Sequence, residues 1–157
     1  LLTEEPRFSL ESDWPIETIA VDRKEWKTSG KGKIVNSLVS PGCVIRGFVK
    51  NSILAPGVHV SARAEVVDSI VMADSRIGYC SVVDKCILDE SVSVGEACCL
   101  GMGEVLIPGA PCITVVGRGV TIPPRTVIGR DCKILPGVKP SDFRSKVILS
   151  GSAVTRT

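Results

Sequence analysis

The side chains able to do chemistry are few, and their spacing decides which chemistry is open. One imidazole, His59, stands in Pro56-Gly57-Val58-His59-Val60, and a single base of that kind suffices for proton abstraction near neutral pH. Seven cysteines, Cys43, Cys80, Cys86, Cys98, Cys99, Cys112 and Cys132, are odd in number and hold no C-x-x-C pair. They therefore spell neither a disulfide framework nor a thiolate zinc site, and are expected as reduced, buried small hydrophobes. Asp68, Asp84, Asp89 and Glu90 fall at corner or outward positions, where Asp stabilises tight turns by bonding nearby backbone N–H groups, and give no paired carboxylates for acid–base work. Gly101-x-Gly103 and Gly117-x-Gly119 lack the basic residues and following helix of a phosphate-cradling loop, so they are expected as turns. Arg46, Lys50, Arg63, Arg76, Arg118, Arg125 and Arg130 are scattered; any two or three that line up would hold an anion by charge-assisted hydrogen bonds.

The elements that must position these groups announce themselves as a repeat. Asn36-Ser37-Leu38-Val39, Asn51-Ser52-Ile53-Leu54, Asp68-Ser69-Ile70-Val71 and Lys85-Cys86-Ile87-Leu88 recur at steps of 15, 17 and 17 residues. Seven residues after each Leu or Ile comes another aliphatic, namely Ile45, Val60, Ile77 and Val94. Further on the rhythm becomes a strict six, with Val116, Ile122, Ile128 and Ile134 followed by Gly117, Pro123, Gly129 and, as a departure, Leu135. Three hexads make one triangular coil of about 18 residues, with every sixth residue inward and Gly, Pro, Asn or Asp at the corners. An amphipathic helix needs apolar residues at three- and four-residue spacing, and the Gly and Pro density between Pro41 and Gly137 would break it. The pattern predicts about six coils stacked at about 4.8 Å, a prism on the order of 30 Å long.

Composition fits a soluble solenoid. Of the 157 residues 44% are hydrophobic but only 4% aromatic, as suits a narrow prism that takes aliphatic chains better than rings. A net charge of +2 from 19 basic and 17 acidic residues gives no case for a nucleic-acid surface, which gathers basic residues on one face. No apolar run has the length of a membrane span, and no charged-then-apolar signal segment opens the chain; the expectation is a cytoplasmic protein. The chain divides into an irregular linker at 1–33, carrying Trp14, Trp26 and the Lys27-Thr28-Ser29-Gly30-Lys31-Gly32-Lys33 stretch, the solenoid at 34–138, and a capping tail at 139–157 ending in Val147-Ile148-Leu149. Around Gly101-Met102-Gly103-Glu104 the rhythm lapses, which predicts a loop or crossover strand. Trp14 and Trp26 are expected to cover apolar surface rather than to stack on a ligand.

Asp13-Trp14-Pro15-Ile16, followed by Val35-Asn36-Ser37-Leu38-Val39-Ser40-Pro41-Gly42-Cys43-Val44-Ile45-Arg46-Gly47 and Val49-Lys50-Asn51-Ser52-Ile53-Leu54, resembles the linker and first coils of bacterial glucose-1-phosphate adenylyltransferase (ADP-glucose pyrophosphorylase). Val67-Asp68-Ser69-Ile70-Val71 and Ile113-Thr114-Val115-Val116-Gly117-Arg118-Gly119-Val120-Thr121-Ile122-Pro123 are similar to later coils, so the resemblance covers nearly the whole chain. It implies a left-handed parallel β-helix that serves subunit contacts and allosteric control, joined to its own N-terminal catalytic domain. That domain would transfer AMP from ATP to glucose 1-phosphate with Mg²⁺, in glycogen or starch synthesis, and this chain begins at Leu1 without it. The partners implied are further copies in a homo-oligomer and a phosphorylated metabolite as effector, with neither nucleic acid nor membrane. Arg118 resembles a regulatory basic residue of the family and is the first effector-binding candidate; Arg46, in the first coil, is the second. No catalytic residue, metal ligand or cofactor is assigned within the chain.

The alternative is an acyltransferase, because hexapeptide β-helices also build trimeric enzymes that move acyl groups from an acyl-CoA. There His59 would be the general base, although its place before inward-pointing Val60 puts it on the solvent side of a coil. A carbonic anhydrase of the same architecture is set aside, since its zinc needs three histidines.

Overall fold

The computed structural model describes residues 27–28, 32–103 and 112–156. The chain winds into a three-faced prism of parallel strands, each two or three residues long. The first face carries six strands, from Lys27–Thr28 to Thr121–Ile122; the second carries seven, from Lys33–Val35 to Val147–Ile148; the third carries seven, from Leu38–Val39 to Ala153–Val154. Pairing is parallel throughout and always to the strand one coil away. Seven rungs at about 4.8 Å give a prism about 29 Å tall, one rung more than the repeat suggested.

The extra rung comes from the ends. Lys27–Thr28 pairs with Val44–Ile45, and Lys33 already belongs to the second face. At the other end Val147–Ile148 and Ala153–Val154 continue the second and third faces. Where a seventh strand of the first face would follow, the described chain instead makes the 3₁₀ turn Pro140–Asp142, and Phe143 packs against the core. The turn holds because the Lys139 backbone N–H donates to Asp142 Oδ2 at 2.8 Å. Residues 1–26, with Trp14, Trp26 and Asp13-Trp14-Pro15-Ile16, lie outside the described residues, as does the part of the inserted segment beyond Gly103 at 104–111.

Each rung sends one aliphatic side chain inward from each face. The central rungs are Ile45, Val49 and Leu54, then Val60, Val66 and Val71, then Ile77, Val83 and Leu88, then Val94, Leu100 and Val116, then Ile122, Ile128 and Ile134, all buried. Two positions before each inward residue sits a small buried side chain at the corner. On the third face these are Ser52, Ser69, Cys86, Thr114 and Cys132. They form a ladder in which the backbone N–H of each serine or Cys86 donates to the hydroxyl one coil below: Ser52 N to Ser37 Oγ, Ser69 N to Ser52 Oγ and Cys86 N to Ser69 Oγ, each 3.1 Å. The hydroxyls thereby satisfy buried N–H groups that the bend of the chain removes from the sheets.

One residue earlier runs a second column. Asn36, Asn51, Asp68 and Lys85 all take left-handed φ values of 43°, 49°, 48° and 48°. Asn and Asp tolerate that region better than other L-residues. Here they also bond along the prism, Asn36 Nδ2 to Asn51 Oδ1 at 2.9 Å and Asn51 Nδ2 to Asp68 Oδ1 at 3.0 Å. This is why the motif opens on Asn or Asp and continues with Ser: the first turns the corner and the second ties it.

Candidate functional site

His59 lies on the first face, half-buried, in parallel register between Val44 and Arg76. The side chain points outward because the next residue, Val60, is inward and successive residues of a strand face opposite ways. Arg46 follows Ile45, one strand below and diagonal to His59 in the parallel register. Partial burial, then the charges of Arg76 and Arg46, hold the His59 pKa below its ordinary 6.5, with Asp74 opposing. The imidazole is therefore neutral at neutral pH. A depressed histidine adds stability that is complete above the unfolded value and declines as pH falls through 6.5 toward the lower folded value. Urea midpoints taken from pH 7.5 to 5 should therefore fall, and should fall less in His59→Gln; equal slopes in both proteins would contradict the assignment.

Arg118 occupies a different part of the prism. It sits at the tip of the turn leading from the third face to the first, exposed, with its guanidinium 2.8 Å from Glu90 Oε2. The flanking glycines have structural work: Gly117 lies against Pro136, where a Cβ would come within 2.6 Å of the ring nitrogen, and Gly119 takes φ +67°. Both are turn residues, as the sequence suggested. The strands Val44–Ile45 and Thr121–Ile122, next to Arg46 and Arg118 in sequence, are four positions apart on the first face, or about 19 Å. One small anion cannot bridge the two candidates. What the structure brings together instead is Arg46, His59 and Arg76, and the signal for Arg76 was present: it lies one 17-residue step after His59.

A second cluster escaped the sequence. Arg130 Nε donates to the carbonyl oxygen of Gly103 at 2.9 Å, and its NH2 nitrogen lies 3.5 Å from Asp84 Oδ2. Both side chains are mostly buried, so the pair fastens the inserted segment to the second face at the point where that segment departs. Nearby, a shallow groove of about 430 Å³ is lined by Met102, Val127, Val147 and Leu149 among others. It is apolar and no titratable group converges on it.

All seven cysteines are present as thiols, with Cys43, Cys86, Cys98 and Cys132 buried in the core or its corners. Burial pushes the Cys86 thiol up to about 12, and likewise raises Cys98 and Cys132. These are packing residues, because the thiolate is the reactive form. Among the described residues no three His, Cys, Asp or Glu side chains come together to hold a metal ion. Nor is any helix there long and apolar enough to cross a membrane.

The comparisons agree with this geometry. The family model for the GlmU-like, C-terminal hexapeptide matches residues 22–106. The chain is 38% identical over 164 residues to the glucose-1-phosphate adenylyltransferase of Acetivibrio thermocellus, covering 99% of this chain and 38% of that protein. It is 43% identical over 163 residues to the enzyme of the same name from Thermomicrobium roseum, covering 98% of this chain and 38% of that protein. To that of Cutibacterium acnes it is 35% identical over 133 residues, 78% of this chain and 32% of the relative. The chain thus spans less than two fifths of the length of these relatives. With more than half of its residues matched and the six-residue solenoid in place, the chain belongs to the GlmU-like, C-terminal hexapeptide family.

Proposed function

We propose that this chain is the assembly and regulatory half of a glucose-1-phosphate adenylyltransferase, a cytoplasmic enzyme of glycogen synthesis that forms ADP-glucose and pyrophosphate from ATP and glucose 1-phosphate. The observation that carries the reading is the alignment of nearly the whole chain with relatives of that name. ATP and Mg²⁺ belong, in this reading, to a catalytic domain upstream, and no chemical step is assigned to the solenoid. The solenoid's part is to hold copies together in a homo-oligomer and to bind a phosphorylated effector. The Arg46–His59–Arg76 cluster, with Asp74 beside it, supports that second role because it gathers two guanidinium groups around one imidazole, whereas Arg118 stands apart and is paired with Glu90.

The acyltransferase alternative has one feature in its favour, the neutral His59 imidazole, and makes the opposite demand on the isolated chain. Calorimetric titration of the chain with acetyl-CoA should give no binding, and His59→Ala should change no turnover. Saturable acetyl-CoA binding, with acyl transfer abolished in His59→Ala, would replace the adenylyltransferase reading.

A further inference from the structure

Three successive coils each send one basic side chain to the same part of the first face. The parallel register sets Val44, His59 and Arg76 in one column, with Arg46 two residues beyond Val44. Both arginines are exposed, and the imidazole between them is half-buried. Their strands lie two coil spacings apart, about 10 Å, a gap that two extended guanidinium side chains close on a single oxyanion. Arg118 and Arg130 are instead held by Glu90 and Asp84, and Arg63 lies 6.0 Å from the centre of the Tyr79 ring. The charged groups around His59 are Arg46 from the strand below and Arg76 and Asp74 from the strand above and the turn leading into it. Its own strand, His59–Val60, adds none. Two guanidinium groups against one carboxylate leave an excess of one positive charge around a neutral imidazole, and protonation of His59 raises that excess to match a dianion.

We propose that Arg46, His59 and Arg76 form a proton-coupled oxyanion site: the phosphate of the effector enters as a dianion, His59 takes up a proton from solvent as it does so, and the site fills more tightly as pH falls. The inference deepens the regulatory reading above and rests on it for the identity of the ligand. The guanidinium groups supply charge-assisted hydrogen bonds at every pH. The imidazole supplies a third only when charged, because both ring nitrogens then donate. Before the anion arrives, partial burial and the two arginines oppose the imidazolium. A dianion about 5 Å away reverses that balance and, after screening, makes protonation about 10-fold more favourable. Linkage is reciprocal, so the proton tightens the anion by the same factor. Affinity therefore climbs as pH falls from neutral toward the lowered His59 value and levels off below it, a direction opposite to the stability of the anion-free chain.

The chain holds one histidine, so its ring signals in proton NMR report this site alone. Sulfate is the probe, because its charge is constant over the range in which the imidazole titrates. In the full 157-residue chain, the His59 titration midpoint should rise by about one pH unit when sodium chloride is replaced by sodium sulfate of equal ionic strength. Sulfate itself should bind about 10-fold more tightly at pH 5.5 than at pH 7.5. Arg46→Gln with Arg76→Gln, both exposed and so compatible with the fold, should raise the midpoint in chloride and abolish the response to sulfate. His59→Gln should retain weak binding that no longer changes with pH. A midpoint indifferent to sulfate, or a sulfate response that survives the double glutamine variant, would overturn the site. Equal pH dependence in His59→Gln and the parent would overturn the proton coupling. Failure of the regulatory reading shows elsewhere: an adenylyltransferase activity of the native product that ignores phosphorylated ligands would remove the effector role while the NMR response of His59 stands.

Discussion

Leu88→Ala is expected to lower the unfolding free energy by about 2–5 kcal/mol. Leu88 is fully buried in the rung it shares with Ile77 and Val83, and it stacks in register between Val71 below and Val116 above. The void cannot collapse easily, because the hydroxyl and amide ladders fix the coil spacing on that face. In a solenoid each coil is stabilised only by its neighbours, so a weak central rung uncouples the two ends. Urea denaturation should show a lower midpoint and a broader transition than the parent. The neighbouring substitution Ile87→Ala, on the outward side chain, should cost within about 1 kcal/mol. Equal costs for the two would mean that the phase of the repeat has been misassigned.

Gly101→Ala should be as damaging through a different mechanism. Gly101 takes φ +77°, and a Cβ there would collide with the Asp84 carbonyl oxygen and approach Cys86 Sγ at 3.0 Å. The backbone cannot retreat, since the Gly101 N–H donates to the Ile128 carbonyl at 2.9 Å. Left-handed strain of about 1–2 kcal/mol adds to the steric displacement of a strand, for a total on the order of 3 kcal/mol. Gly119→Ala isolates the strain alone, because that glycine has φ +67° with nothing within 4 Å of the added Cβ. Its cost should stay at about 1 kcal/mol. Thermal unfolding of both variants separates the contributions, and a Gly101→Ala protein as stable as Gly119→Ala would contradict the close packing of that corner.

The solenoid was legible because its determinants are local and repeat. Ile45, Val60, Ile77 and Val94 at the motif offset, and Val116 to Ile134 at six, are the inward residues of the structure. The ends were less legible: Lys27–Thr28 and Val147–Ile148 pair by register with coils already formed, and their own spacing breaks the repeat. The direction of Leu38, Ile53, Ile70 and Ile87 could not be read from hydrophobicity, since two aliphatics stand together at each site. It follows from the corner chemistry of the preceding Asn or Asp and Ser, which fixes where the strand begins. The candidate site was legible only in its parts. Arg46 and His59 were both named, but their convergence with Arg76 depends on coil stacking, and the tie of Arg118 to Glu90 joins residues 28 apart. Arg130 was named only among the scattered basic residues, because its partners Asp84 and Gly103 come to it through the stacking of the second-face strands.

The most direct test of the central claim is the native gene product, measured by mass and then assayed for ADP-glucose from ATP, glucose 1-phosphate and Mg²⁺. The proposed role predicts a polypeptide more than twice the length of this 157-residue chain, active in adenylyl transfer, with the present chain alone inactive. A native polypeptide of about this length, or a longer one that forms no ADP-glucose, would contradict it.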